Sequence, residues 1–246
     1  MIEFAGIRSD ERYLIVEHYP KRQFPKLRYT TEVVPGRAGA LYIPESDDAF
    51  DVYTQQYSVF LDAKAPGLPM ASRGLAEWLL GSPGFQRLED SYDPDFYRLA
   101  IYSGGESFLN YFNEYGRGTL TFICQPKRYY KSGEKKLTLT SGQKLFSPSK
   151  FIARPIFEVT GNGTITLSVT NQNGIEKTFA ITLDNEYSGS VVIDAAQHSA
   201  KDSTNGTNFN NLVTSPYENL NLTQVSTISW TGHISSVKVI PRWWTI

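Results

Sequence analysis

The hydrophobic and polar positions in the first part of the chain alternate in short runs, which is the pattern of half-buried β-strands. Three such runs are YLIVEHY at 13–19, RYTTEVV at 28–34 and FDVYTQQYSVFLDA at 50–63. PGRAGALY lies between the second and third runs. Its Pro35, Gly36 and Gly39 predict a turn, because proline fixes φ and glycine accepts positive φ.

One segment, MASRGLAEWLLG, has the periodicity of an amphipathic helix. Its apolar residues fall on one helical face: Ala71, Leu75, Trp78 and Leu79. Gly81 is the predicted C-terminal stop. We expect the apolar face of this helix to cover a sheet.

After the helix, FYRLAIY at 96–102 and RGTLTFICQP at 117–126 predict two further strands. In the second of them, Leu120, Phe122 and Cys124 share one face. The segment PKRYYKSGEKK, residues 126–136, is polar and rich in lysine. We interpret it as the end of a first domain.

From Leu137 onward the pattern is almost purely that of β-strands. The clearest hairpin is TITLSVTNQNGIEKTFAITL, where two alternating runs flank Asn173-Gly174, a dipeptide typical of a type I′ turn. Its inward positions are Ile165, Leu167, Val169, Phe179, Ile181 and Leu183. GSVVIDA predicts another strand, and the polar stretch from Gln197 to Asn211 predicts a long surface loop.

The C-terminal segment predicts two strands joined by a turn at Gly232-His233. In this interpretation Val237 and Val239 lie on a last strand, which pairs with the strand that ends at Trp230. Such pairing would anchor a terminus, a part of the chain that is usually polar and loose. Short strands with regular turns predict an antiparallel sandwich or jelly roll for the second half.

Composition and charge narrow the class of protein. The 15 Tyr, 14 Phe, 4 Trp, 19 Gly and 13 Pro favour strands and turns. A length of 246 residues allows two domains, which we place at 1–130 and 131–246. Scattered charges and a net charge of -1 argue against groove-tracking nucleic-acid binding. The sequence predicts no membrane insertion and no secretory signal, and hence a protein kept in the cytosol until something else carries it out.

Candidate catalytic and metal-binding residues are sparse. His18, His198 and His233 fall in different predicted elements, whereas a metal site or a catalytic triad needs converging side chains. Cys124 is the only cysteine, so it can form no disulfide within the chain, and we expect it in the core. No glycine-rich phosphate-binding motif is present. We therefore predict no enzyme, no cofactor and no metal. The competing hypothesis is a β-sandwich glycoside hydrolase, whose two carboxylates would meet in space rather than in sequence and which no motif singles out.

A cluster of acids in LEDSYDPDFY has two interpretations. Glu89, Asp90, Asp93 and Asp95 could supply the oxygen ligands of a Ca²⁺ loop. The spacing of an EF-hand is missing, however, and Asp93-Pro94 favours a solvated turn.

The aromatic residues near the C-terminus also have two interpretations. Trp230, Trp243, Trp244 and Tyr217 could form a platform on which a sugar ring stacks, as in many carbohydrate-binding β-sandwich modules. Alternatively the rings cap the hydrophobic core or a seam between domains. The position of the tryptophans at a strand end favours packing.

Several short motifs follow one another along most of the chain. Their residues are Pro35, Gly36, Arg37 and Gly39 in PGRAG, Trp78 in the helix, Asp194 in a Val-Ile-Asp strand, Trp230 and Gly232 in SWTG, and Pro241, Arg242 and Trp243 in IPRWW. In order and spacing these motifs resemble the distal tail protein (Dit) family of long-tailed, non-contractile bacteriophages and related prophages of Gram-positive hosts. No single motif is specific, so the resemblance rests on their order.

The resemblance implies a mainly β fold. Its first part would be a β-sandwich-like domain with one helix, whose copies join into a hexameric ring. Its second part would be a galectin-like or carbohydrate-binding-module-like β-sandwich at the periphery of that ring.

The resemblance also implies a structural role in the virion, at the tip of the tail. Such a ring sits at the distal end of the tail tube and is the hub that joins the tube to the tail-associated tip protein for host adsorption. Implied partners are further copies of the chain, the tail tube protein, the tip protein and receptor-binding proteins, while DNA passes through the lumen without specific binding. The alternative function is a carbohydrate-binding module that recognises host cell-surface glycans.

Overall fold

The computed structural model describes residues 1–21, 23–46, 48–64, 66–104, 109–111 and 115–246. These residues divide into two compact units, one of residues 1–128 with Ile246 and one of residues 129–245. Both units are mainly β, as predicted. No helix among the described residues is long and apolar enough to span a membrane.

The strands and the helix of the described residues follow in chain order. They are β1 (Ile2–Phe4), β2 (Ile7–Arg8), β3 (Leu14–Val16), β4 (Tyr29–Val33), β5 (Ala40–Pro44), β6 (Tyr53–Asp62), α1 (Leu68–Leu80), β7 (Gln86–Asp90), β8 (Phe96–Tyr102), β9 (Leu109–Tyr111), β10 (Tyr115–Tyr130), β11 (Leu137–Leu139), β12 (Gln143–Phe146), β13 (Ile156–Asn171), β14 (Glu176–Thr182), β15 (Ser190–Asp194), β16 (Ser199–Asp202), β17 (Val225–Ile240) and β18 (Trp244–Thr245).

The largest sheet has the path β2-β1-β7-β8-β10-β6-β3, and β9 and β18 also pair with β10. Alternation along β6 buries Tyr57, Val59 and Leu61, because successive side chains of a strand point to opposite faces. The helix α1 packs its buried face against the same core, as its periodicity predicts. Each large apolar side chain buried there stabilises the fold by about 1.5–3 kcal/mol.

The strand predicted at 117–126 is longer than the sequence indicates and continues into the polar segment that follows Cys124. The strand β10 runs on to Tyr130 and is followed by a 3₁₀ turn at Lys131–Glu134. The N–H group of Tyr130 donates to the carbonyl of Trp243 at 2.9 Å. The partner of this part of the strand is thus more than a hundred residues away in the sequence. The polar local sequence does not indicate that this pairing occurs.

The second unit is organised around two long strands, β13 and β17, which pair along most of their length. On one side of a common bend β13 also pairs with β15 and β17 with β11; on the other side β13 pairs with β14 and β17 with β12. Both halves contribute to one hydrophobic core, with Phe157 and Val159 from one half and Ile165 and Leu167 from the other. The unit is therefore two sheet halves folded over a shared core.

The predicted turn at Gly232-His233 is wrong. Strand β17 is continuous through both residues, and register shifts against β13 bend the two strands together. A Cβ atom on Gly161 would lie 2.3 Å from the carbonyl oxygen of His233, and one on Gly232 would lie 2.3 Å from that of Thr164. These glycines allow the close approach of the two backbones at the bend, whereas the sequence suggested a chain reversal.

The last part of β17 consequently pairs with other strands than the predicted one. Val237 lies opposite Val159 and Val239 lies opposite Phe157, both on β13. The prediction that these residues pair with the strand ending at Trp230 is wrong, because both stretches belong to one strand.

The hairpin between β13 and β14 exists as predicted, but its turn differs. The N–H group of Asn171 donates to the carbonyl of Ile175, and that of Gly174 donates to the carbonyl of Asn171, both at 3.0 Å. The loop between Asn171 and Ile175 therefore has three residues. Gly174 has a φ of 77°, whereas Asn173 is not among the residues with positive φ. A type I′ turn over Asn173-Gly174 needs positive φ at both residues, so this prediction is wrong.

The stretch from Gln197 to Asn211 is not a long loop, as the sequence predicts. It contains β16, an isolated bridge between Lys201 and Asn208, and a 3₁₀ turn that begins at Asn210. Ala200 is buried in the core. A strand of only four residues among polar neighbours is too short for its alternation to stand out in the sequence.

Candidate functional site

The hairpin β4–β5 holds the first motif and forms a two-stranded sheet of its own. Its turn contains Pro35, Gly36, Arg37 and Gly39, and all four are exposed. The glycines have φ values of 81° and 82°, so the turn uses the freedom for which the sequence predicts it. The N–H group of Arg37 donates to the carbonyl of Val34 at 3.1 Å.

Both strands of this hairpin expose apolar side chains. Tyr29, Val33 and Tyr42 lie on one face, which we call the arm face. Val33 is 75% exposed and Tyr42 is 53% exposed, and the rings of Tyr29 and Tyr42 lie 5.0 Å apart. A two-stranded hairpin is marginally stable in water, and an exposed apolar strand surface marks an interaction site. The arm face is therefore a candidate assembly surface.

The root of the hairpin is attached to the rest of the first unit. Leu27 and Phe50 form an isolated bridge, and the N–H group of Arg28 donates to the carbonyl of Ala49 at 2.9 Å. The guanidinium of Arg28 lies 3.4 Å from the carboxylate of Glu45. An exposed ion pair of this kind contributes little energy, but the backbone contacts set the direction in which the hairpin leaves the unit.

Trp78 of the helix motif is a core residue. Its ring is buried against the large sheet, and its Nε1 donates to the carbonyl of Phe4 at 2.8 Å. The hydrogen bond satisfies the one polar group of the indole. Trp78 therefore orients the helix and is not available to a ligand.

The motif residues Asp194 and Arg242 meet in the second unit although 48 positions separate them. Two nitrogens of Arg242 donate to the two carboxylate oxygens of Asp194, at 2.8 and 2.9 Å. The N–H groups of Ala196 and Gln197 donate to the same carboxylate. Burial favours the protonated acid, but the Arg242 contact and these N–H groups outweigh it and lower the pKa of Asp194.

The backbone at Arg242, just after β17, has an unusual conformation. Arg242 has a φ of 57°, which is uncommon for a residue other than glycine. Its N–H group donates to the carbonyl of Gly133 at 2.8 Å. Pro241 and Trp243 on either side are buried. The motif Pro-Arg-Trp thus has a structural role: it connects the end of β17 to Asp194 and to Gly133 within the second unit.

The C-terminal tryptophans are packed, as the position of the pair favoured. Trp243 is 5% exposed and Trp244 is 4% exposed. Trp244 stacks on Phe151 with ring centroids 4.4 Å apart, and its Nε1 donates to the carbonyl of Ile152 at 2.9 Å. Trp230 is partly buried against the core. The alternative of an open sugar platform that includes Trp243 and Trp244 is therefore wrong.

The acidic segment that follows β6 and the helix in the sequence forms neither a calcium loop nor a fully solvated turn. Asp90 is buried, accepts from the hydroxyl of Tyr57 at 2.9 Å and pairs with Arg98 at 2.8 Å. Asp93 pairs with Arg128 at 2.9 Å. Burial, and then the charge of Asp90, raise the pKa of Tyr57 well above its ordinary value, so the hydroxyl keeps its proton and donates.

A signal for this network is present in the sequence. Arg98 occupies an inward position of an alternating strand, in line with Ala100, and Asp90 is in line with Leu88. Charges at inward positions are rarely tolerated without a partner, so each predicts the other.

The remaining candidate residues do not converge. His18, His198 and His233 are all exposed and lie on different parts of the chain. Within the ranges that the structure describes, no three His, Cys, Asp or Glu side chains are placed to hold a metal ion. Cys124 is buried, and burial raises the pKa of its thiol to about 12.

The geometry thus defines a two-unit, mainly β protein with an exposed hairpin. No protein-family model matches the sequence, and no curated protein matches it. Among solved structures, the fold is similar to that of SPP1 Dit (gp 19.1), described as a paradigm of the hub adsorption apparatus in phages that infect Gram-positive bacteria. The match has a TM-score of 0.76 and covers 100% of this chain and 98% of that chain, at 13% sequence identity. The resemblance predicted from the motifs is confirmed at the level of the fold.

Proposed function

We propose that this chain is a structural protein of a phage tail, located at the tail tip, where it forms a homo-hexameric ring at the distal end of the tail tube. The observation that carries the proposal is the similarity to SPP1 Dit over all of this chain and 98% of that chain.

The arm face supplies a physical reason for self-assembly. A ring needs two different surfaces on each copy, so that each copy offers one surface and receives the other. The hairpin β4–β5 exposes Tyr29, Val33 and Tyr42 on a pair of strands that gains stability when it is covered. In the ring, we expect the hairpin of one copy to lie on its neighbour.

The same role defines the other partners. The ring would join the tail tube protein on one side to the tail-associated tip protein on the other, and would support receptor-binding proteins at its periphery. Lys and Arg total 24 against 25 Asp and Glu, and this near balance suits a lumen that lets DNA pass without holding it.

Light scattering on the purified chain, with negative-stain images of the largest species, tests the proposal. We expect a species of six times the 27.7 kDa chain mass and a ring with a central hole. Val33→Ser combined with Tyr42→Ser should reduce this species by about tenfold or more. The Tm of the dissociated single chain should stay unchanged, because both side chains are exposed there.

A matched control removes two exposed apolar side chains elsewhere, through Phe146→Ser with Ile175→Ser. These residues lie in the second unit, and we expect the ring to persist. Monomers at every concentration, or equal assembly of the arm variant and the control, would contradict the role of the arm face.

A further inference from the structure

The chain contains three Asn-Gly dipeptides, at 162–163, 173–174 and 205–206. In this dipeptide the backbone nitrogen of glycine can attack the side-chain amide of asparagine, because glycine has no Cβ atom to hinder the approach. The residue after asparagine is the same at all three sites, so differences in reactivity come mainly from the local structure. The hydrogen bonds around each site therefore allow the three asparagines to be ranked.

Asn162 lies inside the long strand β13. It is paired with His233 on β17, and the carbonyl of Gly163 accepts from the N–H group of Leu183 at 2.9 Å. The N–H group of Gly163 donates to the carbonyl of Asp184. Ring closure requires rotation of the peptide group between asparagine and glycine, and here that rotation would break hydrogen bonds of the sheet. The sheet thus protects Asn162.

Asn205 is exposed, but both of its reacting groups are held. Its side-chain oxygen Oδ1 accepts from the N–H group of Thr207 at 2.8 Å. The N–H group of Gly206 donates to the carbonyl of Asp202 at 3.1 Å. The carboxylate of Asp202 accepts from the N–H group of Asn205 at 2.9 Å and from the hydroxyl of Tyr187. This turn is therefore fixed at several points.

Asn173 is held less tightly than the other two. It is exposed in the loop of the β13–β14 hairpin, and its side-chain amide makes no hydrogen bond to any residue that the structure describes. The N–H groups of Asn173 and Gly174 donate to Asn171, at 2.9 and 3.0 Å, and both bonds lie within the loop. A Cβ atom on Gly174 would meet no atom beyond its chain neighbours within 4 Å. Opening of the loop therefore releases the attacking nitrogen while the strands remain paired.

We propose that Asn173 is a site of spontaneous deamidation, and that its environment protects it less than those of Asn162 and Asn205 protect them. The backbone nitrogen of Gly174 loses its proton to a base in the solvent and bonds to Cγ of Asn173. The bond between Cγ and Nδ2 breaks, and ammonia leaves with a proton from the solvent. Water then opens the five-membered succinimide at either carbonyl group, which gives aspartate or isoaspartate. Neither step involves oxidation or reduction.

The product differs from the original hairpin in two ways. A carboxylate replaces a neutral amide, so the chain gains one negative charge beyond its formal net charge of -1. In isoaspartate the side-chain carbon enters the main chain, which adds one carbon to the backbone of the loop. The tip of this hairpin thus becomes acidic as the protein ages, and the change requires neither ring assembly nor a partner.

Peptide mapping by mass spectrometry tests the proposal after incubation of the full chain at mildly alkaline pH. The same chain in guanidinium chloride is the reference, because there the three sites differ only in their neighbouring sequence. Protection of a site is its rate in denaturant divided by its rate in the folded chain. We expect protection at Asn173 to be at least about tenfold smaller than at Asn162 or Asn205, since opening of the hairpin loop breaks fewer hydrogen bonds.

Asn173→Gln removes the site, because glutamine would have to close a six-membered ring and reacts much more slowly. Anion exchange of the incubated wild-type chain should show an acidic species that this variant lacks, while its Tm stays the same, since the side chain is exposed. Asn205→Gln is the matched control and should keep the acidic species. Equal protection of the three sites, stronger protection at Asn173, or an acidic species that persists in Asn173→Gln would each overturn the proposal.

Discussion

Single carboxylates decide how two buried regions of this chain are held. An ionised carboxylate is costly to bury unless donors surround it. The carboxylate of Asp90 accepts hydrogen bonds from the hydroxyl of Tyr57, the guanidinium of Arg98 and a backbone N–H group. The carboxylate of Asp194 accepts hydrogen bonds from the guanidinium of Arg242 and from two backbone N–H groups. Each carboxylate therefore connects several segments of the chain at one point. Its removal should destabilise these segments as well as the strand that carries it.

Replacing Asp194 by Asn tests this at one residue. The variant keeps the shape but loses the ion pair with Arg242, and we expect a loss of about 1–3 kcal/mol at neutral pH, since Arg242 is partly exposed. The pKa of Asp194 is lowered in the folded chain, so its contribution is present above the ordinary value of about 3.9 and is lost as the pH falls through the folded value. Urea unfolding at neutral pH and near pH 3 should show the difference from wild type shrinking in acid.

The exposed pair of Arg8 and Asp10 provides the control, because its atoms are also close, at 2.6 Å. Asp10→Asn should have no measurable effect at neutral pH, since water screens an exposed pair. If Asp194→Asn lowered the free energy of unfolding no more than Asp10→Asn does, the ion pair of Asp194 with Arg242 would not stabilise the second unit as its geometry indicates.

At the scale of the elements, two glycines differ in how much space there is for a larger side chain. Gly74 lies inside α1, where a Cβ atom would meet only the end of the Arg12 side chain at 3.8 Å. Gly161 lies at the strand bend, where a Cβ atom would lie 2.3 Å from a backbone oxygen. Gly74→Ala should raise the free energy of unfolding by about 0.5–1 kcal/mol, because alanine favours the helix.

Gly161→Ala is the paired variant, and it should destabilise the chain by more than about 1 kcal/mol, since backbone atoms must move apart. Thermal unfolding followed by circular dichroism would measure both, with Tm rising in the first and falling in the second. A fall in Tm for both variants would mean that α1 is packed more tightly around Gly74 than its distances indicate.

The same elements show what a sequence can predict. Helix α1, the turn at Pro35 and the hairpin at Asn173 follow from patterns within a dozen residues, and the structure has them where those patterns lie. The strand β5 after that turn was not predicted. The extension of β10, the continuity of β17 and the meeting of Asp194 with Arg242 depend on partners far along the chain. A bend and a reversal both use glycine, so local sequence could not distinguish them at Gly232.

For the whole molecule, we propose that the two units are independently folding domains. The buried apolar side chains that form the core of the second unit all lie between Leu139 and Trp243. A single chain boundary before Leu139 therefore leaves this core in one fragment. The boundary predicted from the sequence falls after Tyr130, whereas the contacts divide after Arg128. Tyr130 packs against the core of the second unit and donates its N–H group to the carbonyl of Trp243.

Two fragments separate these boundaries. Residues 129–246 and residues 131–246 differ only in Tyr129 and Tyr130, and we expect both to unfold cooperatively in urea, with the longer fragment more stable by about 1–3 kcal/mol because it keeps a packed ring and a hydrogen bond. Equal stability would place the boundary after Tyr130, as the sequence predicts. If neither fragment folded, the second unit would need the first unit in order to fold. The proposal that the two units are independently folding domains would then be wrong.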